Sequence, residues 1–173
     1  MIPALQTQLP QYTIQRVAAP QVDAVMALYQ TNLAYFMLTD EEPPSREHCL
    51  EDIRGLPPGL EPWQKSFIGF WSENEPVAVL DFLTGYPDAT CCWIGLLLVH
   101  QGLQGQGIGR AIAEAAEQAA VAKGYNRMGL GVIASNTNAI AFWERLGYRT
   151  VRHKQVERGN KPAWDVLVME KPL

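Results

Sequence analysis

Val99-His100-Gln101-Gly102-Leu103-Gln104-Gly105-Gln106-Gly107-Ile108-Gly109-Arg110 is the stretch on which the fold turns. An apolar strand runs into a glycine-rich turn, and the turn opens directly into an amphipathic helix. Glycines at 105, 107 and 109 leave backbone N–H groups unobstructed at a helix N-terminus. The first amides of a helix have no partner inside it and carry the positive end of its dipole, so such a turn suits an anion, most often a phosphate or pyrophosphate. Three phosphate-binding patterns compete. A P-loop, G-x-x-x-x-G-K-[ST], fails because Ile108 and Gly109 stand where Lys and Ser/Thr must be. A dinucleotide fingerprint, G-x-G-x-x-G, fails because its third glycine would fall on Arg110. The acidic residue that fingerprint requires further on is also absent from Met128–Ala134. The third pattern, Gln/Arg-x-x-Gly-x-Gly/Ala, is satisfied in full by Gln104–Gly109. Beside it stands a plain strand-to-helix turn with no ligand.

Working outward, Cys92–Val99 reads as a strand buried on both faces, and Ile108–Lys123 as a helix with an alanine-rich stripe closed by Gly124. Met128–Ile133 is the next strand, completing a β-α-β unit. Upstream, Tyr12–Val17 reads as a strand, Gln21–Leu33 as a helix, and Arg46–Arg54 as a helix capped by Ser45. Lys65–Trp71 and Pro76–Thr84 form a hairpin. Downstream, Thr137–Leu146 is a helix, and Tyr148–Lys154 with Ala163–Met169 a last hairpin around Arg158-Gly159-Asn160. The predicted order is β-α-α-β-β-β-α-β-α-β-β: an α/β fold with a mixed sheet and helices on both faces.

At 173 residues a single domain over 1–173 is expected. A net charge of −4 argues against general nucleic-acid binding, which needs a basic stripe, but leaves room for a cationic substrate. The three cysteines are odd in number, and Cys91 and Cys92 are adjacent, so a disulfide framework is not suggested; a cytoplasmic location fits. Met1–Pro10 has no leader pattern, and the longest apolar run, Cys91–Val99, is far short of the ~20 residues of a membrane span.

A second stretch, Asn136-Thr137-Asn138-Ala139-Ile140-Ala141-Phe142-Trp143-Glu144-Arg145-Leu146-Gly147-Tyr148, follows the glycine turn after one helix and one strand. In that order and at that spacing, the two stretches closely resemble the two signature motifs of the GNAT acyltransferase superfamily, and the element order from Tyr12 to Met169 is similar to that family's. The resemblance implies acetyl transfer from acetyl-CoA to a primary amine of a small molecule, amino acid or peptide by direct attack in a ternary complex, without a metal, by a monomer or homodimer. It implies splayed strands at 92–99 and 128–133. The pyrophosphate would then rest on Gln104, Gly105, Gln106, Gly107, Ile108, Gly109 and Arg110, and the pantetheine arm would pair with Leu97, Leu98 and Val99 and meet Asn136. Asn136 reads equally as a helix cap, Arg110 as a solvated residue, and Trp143 as either a pantetheine contact or core.

The chain departs from the family where protons move. The tyrosine that serves as acid in many relatives is replaced by Trp143, whose indole N–H cannot act as a proton-transfer acid near neutrality. Tyr86 and Tyr35 lie on segments bordering the acceptor region, and Tyr86 is the acid candidate. Many relatives carry a glutamate on the strand before the glycine turn, but Cys91–Val99 holds no carboxylate. An amine is mostly protonated at neutral pH and needs a base. Asp81, the lone acid inside an apolar strand, is the candidate, against the reading of a solvent-facing position. His100 follows the strand closely, but a His after this Val is common in the family with no chemical role. Asp40, Glu41 and Glu42 read as a solvated acidic loop, or as a patch attracting a cationic amine. A non-catalytic acyl-CoA-binding domain that has lost its proton-transfer groups is the alternative.

Overall fold

In the computed structural model, the described residues, 1–159 and 161–173, form a seven-stranded mixed sheet in the order β1-β2-β3-β4-β5-β7-β6. β1 (Thr13–Arg16), β2 (Lys65–Ser72), β3 (Glu75–Thr84) and β4 (Cys91–Val99) are antiparallel neighbours. β5 (Arg127–Ile133) lies parallel to β4, and β6 (Arg149–Arg158) with β7 (Lys161–Pro172) closes the far side as an antiparallel hairpin. The parallel pair needs a crossover, and α5 (Ile108–Val121) supplies it. Asn160, in the predicted hairpin turn, lies outside the described residues.

Two apolar layers sandwich the sheet. On one face α2 (Val22–Thr31), α3 (Leu33–Thr39) and α4 (Arg46–Arg54) bury Val25, Leu28, Phe36 and Cys49 against Phe67, Val79 and Leu98. On the other, α1 (Ile2–Gln8), α5 and α6 (Thr137–Arg145) pack against Phe70, Leu80, Phe82 and Ile94. Small side chains let α5 lie close to the sheet: Ala113, Ala116 and Ala120 are fully buried.

Three expectations need correction. Helix α1, Ile2–Gln8, lies in the N-terminal stretch for which the sequence predicts no element. Its Ile2, Leu5 and Leu9 recur at helical spacing, and Leu5 is fully buried. Gln6 also covers the open edge of β1, donating to the Tyr12 carbonyl at 2.7 Å and accepting from the Ile14 N–H at 3.1 Å. The helix expected over Gln21–Leu33 breaks at Asn32, where α2 ends and α3 begins. Asn32 leaves helical geometry and turns its side-chain amide back to the Leu28 carbonyl at 3.1 Å.

The third correction concerns β4. Its middle is not buried on both faces: Gly95 is exposed, and Leu96 and Leu97 are half-buried. Pairing between β4 and β5 runs from Cys91–Arg127 to Ile94–Leu130 and stops there. The β3–β4 register shifts at the same place, with Asp81 opposite Leu96 and Phe82 opposite Ile94, so Gly95 is the extra residue of a bulge. A bulge bends its strand and ends local pairing. Here it starts the divergence of β4 from β5.

Candidate active site

The glycine turn sits where β4 leaves the sheet and α5 begins. Gly105 and Gly107 have φ of +77° and +84°, in the left-handed region, and Gly107 caps α5 in that conformation. Nothing lies within 4 Å of a side chain built on either. Among the described residues, none of the backbone N–H groups from Gly105 through Arg110 has an intramolecular acceptor. This is a run of open donors at the positive end of a 14-residue helix.

A polar knot around the buried Asn32 holds the turn. Gln104 Nε2 donates to Asn32 Oδ1 at 2.9 Å and to the Val99 carbonyl at 3.1 Å. Asn32, 2% exposed, donates to the same carbonyl at 3.2 Å. The amide of Gln104 therefore ties the turn to the ends of α2 and β4. Thr31 Oγ1 adds an acceptor for the Gln101 N–H at 3.1 Å. Sequence reasoning missed Asn32; the only signal was a polar residue at the end of an amphipathic helix.

The backbone along the gap is narrower than Leu97–Val99 as a whole. The His100 N–H donates to the Val77 carbonyl, and antiparallel pairs alternate. Leu98 therefore directs its polar groups to Val79 on β3, while Leu97 and Val99 direct theirs away from β3, toward the gap. With the Val99 carbonyl held by Asn32 and Gln104, the Leu97 groups and the Val99 N–H remain.

Asp81 stands at the head of this gap. It is 8% exposed, so the solvent-facing reading is excluded. Its carboxylate fills the space a Gly95 side chain would need: a Cβ there would fall 2.3 Å from Oδ2. Lys65 Nζ, equally buried, is 2.8 Å from Oδ2, whereas Oδ1 has no hydrogen-bond partner among the described residues. Burial pushes the Asp81 carboxyl up to about 6, against the opposing pull of Lys65. Sequence missed Lys65, which comes from the start of a strand 16 residues earlier. An isolated glycine inside an apolar strand was the legible sign of the bulge.

The remaining candidates resolve individually. Asn136 caps α6, its Oδ1 accepting from the Ala139 N–H at 3.1 Å. Trp143 is 7% exposed, with its ring 4.8 Å from Phe142 and 5.1 Å from Tyr148, as core packing demands. Phe142 reaches the start of α5, lying 3.5 Å from a Gly109 Cβ. Tyr148 is fully buried. His100 Nδ1 accepts from the Gly102 N–H at 3.1 Å, a turn-forming role. Arg110 makes a solvent-exposed pair with Glu114 at 2.8 Å. Tyr86 packs edge-on against Trp93 with ring centres 5.5 Å apart, at the end of β4 remote from the glycine turn. Tyr35 packs edge-on against Phe36, and burial raises its hydroxyl well above the usual range.

Glu41 and Glu42 are exposed, as a solvated loop requires, whereas Asp40 is largely covered, and the three do not form a free anionic patch. They clasp the β6–β7 hairpin. Arg158 lies 3.4 Å from Asp40 and 3.8 Å from Glu41, with its guanidinium 4.3 Å above the Trp164 ring. Lys161 pairs with Glu42 at 2.6 Å, and the Trp164 indole donates to the Thr39 carbonyl. Behind this clasp, His48 stands between Asp40 at 4.0 Å and Asp52 at 3.8 Å, and the Tyr29 hydroxyl donates to Asp52 at 2.7 Å. Burial raises the Asp52 carboxyl above its ordinary value. A cavity of about 250 Å³ opens between Thr39, Arg158, Trp164 and the Ile133–Ser135 end of β5. Among the described residues no group of three or more His, Cys, Asp or Glu is arranged to hold a metal, and no helix is long and apolar enough to cross a membrane.

Residues 25–148 match the model of the Acetyltransferase (GNAT) family. The structure resembles an acetyltransferase from Thermus thermophilus, with a TM-score of 0.74 and 27% identity over 94% of this chain and 97% of that one. It also resembles the PaiA N-acetyltransferase of Thermoplasma acidophilum in complex with coenzyme A, with a TM-score of 0.64 and 15% identity over 94% and 99% of the two chains. The latter likeness is one of fold. A mycothiol acetyltransferase from Jonesia denitrificans is 34% identical over 77 residues, 44% of this chain and 24% of that protein. The chain thus matches about a quarter of that relative's length.

Proposed function

The chain belongs to the GNAT acetyltransferase family, and on that premise we propose that it transfers an acetyl group from acetyl-CoA to a primary amine of a small molecule, amino acid or peptide. The sheet runs unbroken from β1 to β6, which supports reading 1–173 as one domain. The observation that carries the proposal is the meeting at Gly95. There β4 parts from β5, the Asp81 carboxylate fills the vacant Cβ space, and the opened strand leads to the unpartnered amides of the glycine turn.

The amides of Gly105–Arg110 suit the coenzyme A pyrophosphate, and the open backbone groups of Leu97 and Val99 suit the pantetheine amides. The Asn136 side-chain NH₂, with Oδ1 engaged in the cap, is free to contact the same arm. Acetyl-CoA supplies an activated acyl group. Asp81 Oδ1 takes a proton from the acceptor amine, while Lys65 fixes Oδ2 and keeps the carboxylate oriented. A gap-facing N–H of Leu97 or Val99 stabilises the oxyanion as the new C–N bond forms. The C–S bond then breaks, and the thiolate takes its proton from water, since Trp143 cannot supply one. Attack is direct within a ternary complex: Cys49, Cys91 and Cys92 are all fully buried, which disfavours a cysteine acyl-enzyme.

The test is thiol release from acetyl-CoA against a broad panel of amines. Turnover with at least one acceptor is expected. Acetyl-CoA binding with no turnover on any of them would leave a binding domain and sink the catalytic reading.

A further inference from the structure

At the end of the sheet away from the glycine turn lies a second cavity, of about 280 Å³, between the β1–β2 edge and the C-terminal end of α4. Its charged lining is entirely cationic: Arg16, Arg54 and Lys65. Among the described residues no carboxylate lines it, although the chain as a whole carries a net charge of −4. The rest of the wall is apolar, including Val17, Ile53, Leu56 and Phe67.

The three cations differ in how far they are neutralised. Arg16 is fixed by two neutral acceptors, the Lys65 carbonyl at 3.1 Å and Ser66 Oγ at 2.9 Å, which orient its guanidinium without cancelling its charge. Arg54 makes no ion pair among the described residues. Lys65, 7% exposed, pairs with Asp81 at 2.8 Å and also lies within Coulombic reach of Asp52. Arg16 and Arg54 thus stand without a carboxylate partner among the described residues, beside a half-apolar hollow.

We propose that this cavity binds a small carboxylate with a short apolar body. Arg16 and Arg54 hold the carboxylate, for which guanidinium forks are matched in geometry. The hydrocarbon lies against Val17, Ile53, Leu56 and Phe67, where burial favours it over a bare anion. At its inner end the ligand approaches the ammonium that also orients Asp81, so occupancy adds negative charge beside that pair. This consequence for catalysis rests on Asp81 acting as the base; the binding does not.

The experiment is a titration of the full chain, followed by ¹H–¹⁵N correlation spectra, with isovalerate, 3-methylbutanol and inorganic phosphate. Isovalerate is expected to shift the amides of Val17, Arg54, Leu56 and Phe67 saturably. Its affinity should exceed that of the neutral alcohol and of phosphate by roughly tenfold, the value of one charge-assisted contact or of the buried body. Arg54→Gln should remove most of the advantage over the alcohol, Arg54→Lys should keep part of it, and acetyl-CoA affinity should be unchanged in both. Equal binding of isovalerate and the alcohol, equal binding of isovalerate and phosphate, or unchanged isovalerate affinity in Arg54→Gln would each overturn the proposal. These titrations are independent of turnover, so their failure is distinguishable from a failure of Asp81 as the base.

Discussion

From Gly105 to Arg110 the backbone donors stand open, offered by one contiguous stretch of chain. Across the β4–β5 gap the charged groups of the α3–α4 loop and the β6–β7 hairpin have instead closed on each other: Arg158 reaches Asp40 over 118 positions of sequence, and Lys161 reaches Glu42 over 119. The first region is ready for an anion that the chain does not contain. The second is self-satisfied, so a substrate entering there must fit around the existing pairs or displace them. Asp81 stands between the two regimes, with one oxygen held by Lys65 and the other buried without a hydrogen-bond partner among the described residues.

The comparison breaks most sharply at Gly107. Gly107→Glu places a carboxylate among the open amides and forces a side chain onto a φ of +84°. Acetyl-CoA affinity should fall by roughly 100-fold or more. Unfolding stability should fall by only about 1–2 kcal/mol, the cost of the left-handed conformation. Calorimetric titration with a thermal melt separates the two, and unchanged affinity would mean that the anion binds elsewhere.

Asp81→Asn comes next. Removing a general base typically lowers kcat by ~10²–10⁴-fold, and acetyl-CoA affinity should be unaffected because the cradle is untouched. In the native chain kcat/KM should rise as pH passes through about 6, since Asp81 must lose its proton to act. Lys65→Met removes the cation that holds this value down, so the rising limb should move to higher pH. The stability effect has the opposite sense. The folded carboxyl titrates above its ordinary value of ~3.9, so its contribution is full at low pH and is lost as pH rises from there to about 6. Asp81→Asn should flatten that part of the stability profile in a pH series of denaturant melts. A pH–rate profile with no limb near 6 would dissociate Asp81 from the chemistry.

Arg158→Met opens the clasp. Its side chain is 8% exposed and bridges Asp40 and Glu41. Acceptor KM should rise roughly tenfold and stability fall by about 1–3 kcal/mol as Asp40 loses its partner, with acetyl-CoA affinity unchanged. Steady-state kinetics with any accepted amine would show it, and an unchanged KM would place the acceptor away from the hairpin. Gln104→Leu should have the smallest effect. It removes donors to Asn32 and Val99, costing about 1–2 kcal/mol of stability and lowering acetyl-CoA affinity only a few-fold through a looser turn. A loss as large as that of Gly107→Glu would show that Gln104 contacts the ligand itself.

Much of the architecture was legible because its signals are local. Alternation marked the strands, glycines closed the helices, and the Gln104–Gly109 spacing singled out one anion-binding pattern. The errors have local causes too. Helix α1 is only seven residues long and carries too little periodicity to mark a helix, yet its Gln6 covers β1. The break at Asn32 was hidden because its side chain answers to Val99, 67 positions away. The even burial expected of β4 failed at Gly95, where bulge and splay coincide.

The family, the order of elements and the position of the anion cradle are written in the chain itself, because each is assembled from short motifs and element patterns that are local, read in their order along the chain. Tertiary structure alone decided which residues meet at Gly95, that Lys65 orients Asp81, that Leu98 turns away from the gap, and that the acidic loop is already paired. Those outcomes depend on strand register and on charges brought together over long stretches of chain. Coulombic partners and desolvation act through space, and spacing along the chain does not encode them.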